Sequence, residues 1–138
     1  MTTKQMLLAA TLIFGAMSNV GLAMNQEDGV EQQEMNEELL GAAFTGRLNK
    51  VKRLVNAGAD VNAEDKYKRT ALHNAASMLI TNMFKVKTEN RIAIAEVLIE
   101  NGADINARSD KGLTALGIAA IAGNSDIARL LESKGGSE

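Results

Sequence analysis

Ala57-Gly58-Ala59-Asp60-Val61-Asn62-Ala63 returns as Asn101-Gly102-Ala103-Asp104-Ile105-Asn106-Ala107, and Thr70-Ala71-Leu72-His73 returns as Thr114-Ala115-Leu116-Gly117. Both recurrences have the same offset, 44 residues. A third element, an Ala pair followed by Gly, stands at Ala42-Ala43 with Gly46 and again at Ala119-Ala120 with Gly123. Self-similarity at fixed spacing is the mark of a repeat architecture, in which each unit buries its apolar face against its neighbours. Three units therefore run from about Asn36 to Gly136, over 36–63, 64–107 and 108–136.

Each unit reads as helix, turn, helix and projecting hairpin. Leu72, Ala75, Ala76, Leu79 and Ile80 fall on one face of a helix. Ile94, Val97 and Leu98 do so on a second helix, as do Val51, Leu54 and Val55 in the first unit. Gly58 and Gly102 follow those second helices, where a left-handed residue lets the chain cap the last carbonyls. Ala-rich stripes let helices approach closely, and the composition agrees: 46% hydrophobic with only 3% aromatic, and no Pro.

These residues resemble the ankyrin repeat, with its Thr-Pro-Leu-His helix start and Gly-Ala-Asp-Val-Asn ending. Thr70-Ala71-Leu72-His73 departs by Ala71 for Pro, and Gly58-Ala59-Asp60-Val61-Asn62 matches in full. The resemblance implies an all-α solenoid of three stacked helix-turn-helix units with short β-hairpin fingers. It assigns Thr70, Leu72, His73, Gly58, Gly102, Asp60, Asp104 and Thr114 structural roles, His73 bonding to Thr70 at the helix start.

Departures are informative. Ankyrin units run about 33 residues, so the middle unit is longer. Its excess, near 79–89, is expected to be a helical protrusion: Met83 continues the Leu72 stripe, Ile92 answers from an extended second helix, and Lys85-Val86-Lys87-Thr88-Glu89 forms the tip. Lys68 occupies the turn position held by Gly112 in the third unit; a positive φ there costs about 1 kcal/mol. Gly117 replaces the motif His. Polar Asn36-Glu37-Glu38 and Glu132 read as end caps.

Ahead of the repeats, Lys4 precedes an uncharged run from Met6 to Met17, and Gly21-Leu22-Ala23 puts small residues where a signal peptidase reads. That layout predicts a secretory signal peptide over 1–23, cleaved after Ala23, and an exported protein, periplasmic or secreted. The run is short of the roughly 20 residues that span a bilayer, although retention as a membrane tether is the alternative. Residues 24–35 form an acidic amino-terminal tail: every basic residue except Lys4 lies beyond Glu38.

The chain offers little for chemistry. With no Cys and one His, it lacks disulfides, thiolate ligands and paired imidazoles, so no metal or cofactor is expected. A hydrolase would need His73 in an open pocket beside a nucleophile. Asp60 and Asp104 are equivalent repeat positions rather than an acid–base pair. A net charge of −2 argues against a nucleic-acid binder. The resemblance instead implies a monomeric, non-enzymatic module that grips a protein partner through its concave face, with no membrane role after signal cleavage.

Register places Gly41, Asn74 and Ile118 in one column of that face and Phe44, Ser77 and Ile121 in the next; Tyr67 and Arg69 on the middle finger complete the candidate contacts. Met78, Met83 and Phe84 are a second apolar group. Basic clusters at Arg47, Lys50, Lys52 and Arg53, at Lys66, Lys68 and Arg69, and at Lys85, Lys87 and Arg91 read as solvated faces, with an acidic partner as the functional alternative.

Overall fold

A computed structural model describes residues 20–77 and 88–138. The run from Met6 to Met17, most of the expected protrusion and the Met78-Met83-Phe84 group lie outside these residues. Six helices are described: α1 (Val20–Thr45), α2 (Leu48–Asn56), α3 (Ala71–Ser77), α4 (Thr88–Glu100), α5 (Ala115–Ala122) and α6 (Ser125–Ser133). The chain divides into two compact units, Met1–Glu34 and Met35–Glu138. In the first, the acidic stretch is helical. The second holds the repeats.

Within the repeats the helices form two layers. α3 packs on α5 among the first helices; α2 packs on α4, and α4 on α6, among the second. Leu39, Ala42 and Ala43 of α1, Leu72, Ala75 and Ala76 of α3, and Leu116 and Ala119 of α5 are buried, facing Val51, Leu54, Ile94, Ala95, Leu98, Ile127 and Leu131 of the second layer. Each large aliphatic side chain fully removed from water contributes roughly 1.5–3 kcal/mol. The small Ala side chains between them let the layers close.

Helix ends follow one rule. At Gly58 the φ is +96° and Ala59 N donates to Leu54 O at 3.0 Å; at Gly102 the φ is +90° and Ala103 N donates to Leu98 O at 3.0 Å. Both are the left-handed caps that the motif requires. The fingers are turns: Asp65 N donates to Arg69 O, Ser109 N to Leu113 O, and Asp110 N reaches Tyr67 O of the neighbouring finger. No strand occurs among the described residues, so the expected fingers are tight turns rather than β-ladders. Lys68 does take a positive φ, +56°.

α4 runs from Thr88, four residues ahead of the position equivalent to Leu48 and Ser125, so Thr88 and Glu89, expected at the tip of the protrusion, are helical instead.

Candidate functional site

The middle finger is organised around Asp65. Its Oδ1 accepts from the backbone N–H groups of Tyr67 (2.8 Å) and Arg69 (3.0 Å), and its Oδ2 takes the Arg69 Nε at 2.9 Å and pairs with Nη2 at 2.8 Å. Partial burial pushes the Asp65 carboxyl up, but the Arg69 and Tyr67 amides and the guanidinium together outweigh it and hold the group below the usual carboxylate range. The Lys66 ammonium and Arg69 guanidinium each lie 4.9 Å from the centre of the Tyr67 ring. A 44%-exposed aromatic ring is thus presented between two cations on a turn already fixed by hydrogen bonds. Sequence reasoning found Tyr67 and Arg69 but missed Asp65; an Asp two residues before the exposed residue of a turn was the available signal.

The other expected contacts divide by burial. Phe44 is 48% exposed and Ile121 75% exposed. Arg69, Ser77 and Ile118 are half-buried; Ser77 donates its hydroxyl to Asn74 O, and Ile118 packs on the core. Asn74 departs from the expectation. It is only 6% exposed, with Nδ2 donating to Leu40 O at 3.1 Å, so it ties α3 to α1 instead of facing a partner. Arg91 departs too: expected on a solvated face, it is buried, its Nη1 reaches Asn124 Oδ1 at 3.3 Å, and burial pushes its pKa below the usual guanidinium range.

The motif residues bond between layers. Thr70 N can only donate, so His73 Nδ1, 3.1 Å away, is the acceptor, and Nε2 carries the hydrogen that Leu113 O accepts at 2.9 Å. The imidazole is 1% exposed with both nitrogens engaged, which leaves no open pocket at this ring. Asp60 Oδ1 accepts from Asn62 N, and Asp104 Oδ1 from Asn106 N; both carboxylates serve their own turns. Three asparagines, named in the sequence but given no bonding role there, hold backbone amides. Asn36 accepts from Asp60 N, Asn62 from Asp104 N and Asn106 from Ser137 N, at 2.8, 2.6 and 2.9 Å. Among the described residues, no group of His, Asp and Glu is placed to hold a metal ion.

Stacked helix pairs, glycine caps and turns that bond to the next layer decide the kinship, and the profile described as ankyrin repeats (3 copies) matches residues 8–109 and 39–137. The chain belongs to the ankyrin-repeat family. It is 33% identical over 107 residues, 77% of this chain, to the Ankyrin repeat and KH domain-containing protein mask-1 of Caenorhabditis elegans. It is 30% identical to the Neurogenic locus notch homolog protein 2 of Homo sapiens and 32% identical to the Neurogenic locus notch homolog protein 1 of the same species, each over 68% of this chain. The chain spans 4% of the first of these proteins and 5% of the other two. Ankyrin repeats are protein–protein interaction modules, and the family is generally non-enzymatic.

Proposed function

We propose that this chain is an exported, non-catalytic module that acts as a monomer, without cofactor, and holds a protein partner against its first helices and fingers. The exposure of Phe44, Tyr67 and Ile121 carries the reading. The described repeats expose few other large apolar groups (Val30, also exposed, precedes them), and these three sit on a first helix or a finger. Exposed apolar patches with a polar rim mark interaction surfaces. Tyr67, carried on a turn held by hydrogen bonds, costs little backbone ordering on binding and so suits an anchor.

Export rests on the tripartite layout of residues 1–23, with the acidic segment 24–35 between it and the repeats. Among the described residues no helix is long and apolar enough to cross a membrane. The mass of the mature protein separates export from a retained tether, since the exported form starts at Met24.

The binding face is tested by capturing partners from the native compartment with the wild type and with the Phe44→Ala, Tyr67→Ala, Ile121→Ala triple variant. A protein retained by the first and lost by the second, with equal melting temperatures, is the expected result. Retention by both would sink the reading.

A further inference from the structure

A second surface lies on the other layer. Between the starts of α2 and α4 runs a groove of about 410 Å³, lined by Arg47, Leu48, Asn49, Lys50, Arg53 and Asn90. Among the described residues that line it, three are cationic and none is a carboxylate. Lys50 has a 3.7 Å ion pair with Glu38, while Arg47 and Arg53 are exposed and make no ion pair among the described residues. The groove belongs to the second helices, so it does not include Phe44, Tyr67 or Ile121.

We propose that this groove binds an acidic, extended peptide segment of a protein partner. The spacing of the cations argues for a chain over a point anion. Arg47, Lys50 and Arg53 follow one another at three-residue steps, so the row extends along the helix by roughly 9 Å at 1.5 Å per residue. Side chains on one face of an extended peptide recur about every 7 Å, so two carboxylates on alternate residues fit within the length of such a row. A single phosphate calls for donors converging on one place. Leu48 in the wall adds apolar contact for the peptide's stem atoms. The site is independent of the finger surface, and the two fail separately.

The test is fluorescence anisotropy of a labelled ten-residue peptide alternating Glu and Ser, titrated with the full chain at low salt and again at about 0.5 M, where the Debye length falls to a few ångströms. Binding at low salt that weakens sharply with salt is expected. It should fall at least tenfold in Arg47→Glu, Arg53→Glu, less in Arg53→Gln alone, and remain unchanged in Tyr67→Ala. The substituted arginines are exposed, and unchanged circular dichroism melting of Arg53→Gln keeps the result readable if the double variant misfolds. Absence of wild-type binding, equal loss in Tyr67→Ala, or preferential and arginine-dependent binding of inorganic phosphate or phosphatidylserine vesicles would each overturn the proposal.

Discussion

The starts of the middle and third repeats share a register but not a chemistry. In the middle unit, His73 accepts from Thr70 N and reaches across to Leu113 O of the next layer; in the third, Gly117 N simply donates to the Thr114 hydroxyl. The preceding turns diverge likewise. Asp65 and Ser109 hold equivalent places, and each accepts from the two corresponding backbone amides, Asp65 from Tyr67 and Arg69, Ser109 from Lys111 and Leu113. Yet the first is a carboxylate paired with an arginine, and the second a neutral hydroxyl. Lys68 bears a positive φ where Gly112 adopts one without strain. A unit with a layer following it uses side chains to reach that layer. In the third repeat the Thr114 hydroxyl instead donates to Ser137 O.

The comparison can be broken most forcefully in the core. Leu72→Ala is expected to cost about 2–5 kcal/mol in urea denaturation, because the side chain is enclosed between layers. Leu116→Ala should cost less, since its side chain is 4% exposed against 1% for Leu72; the reverse order would deny that the middle unit is the more enclosed one. Next in size, His73→Ala leaves Thr70 N and Leu113 O without the ring that joins them, a loss of about 1–3 kcal/mol by the same assay. Gly117→His should stay within about 0.5 kcal/mol, since a Cβ there meets only ordinary contacts at 3.6 and 3.8 Å.

A smaller effect comes from the turns. Lys68→Gly is expected to stabilise by about 1 kcal/mol and Gly112→Lys to destabilise by a similar amount, read as opposite shifts in melting temperature. Nothing lies within 4 Å of a Cβ built at Gly112, so the cost there is conformational alone. Smallest and most local is the pH response. The folded Asp65 pKa is lowered, so its contribution is complete above the unfolded carboxyl value of about 3.9 and is lost as pH falls through the lower folded value. Tyr67 is the single Tyr and there is no Trp, so intrinsic fluorescence reports this finger. An acid step in that signal, absent in Asp65→Ser, is expected; Ser109, at the equivalent position, carries no proton to lose in this range.

Much of this was legible in the chain. Two recurrences at one offset located the layers, and glycine after each second helix located the caps, because a left-handed residue has few chemical solutions. Lys68 could be marked as strained by comparison with Gly112 alone. What one side chain meets in another layer was not legible. Asn36 performs from a helix the task that Asn62 and Asn106 perform from turns, so no repeat spacing reveals it. Asn74 and Arg91 carry polar groups that ordinarily seek water, yet Leu40 O and Asn124 Oδ1 receive them inside. Tyr67 was found for its type, but its fixation by Asp65 came from the turn.

The central claim is that consecutive layers are locked in register by side chains of one unit bonding to backbone of the next. Residue-resolved amide exchange on Asn62→Ala tests it most directly. Asp104 is exposed, yet its N–H is held by Asn62 Oδ1. Faster exchange at Asp104, with Asp60 and Ser137 still protected by Asn36 and Asn106, is the predicted result. Exchange at Asp104 as slow as in the wild type would contradict the layered register.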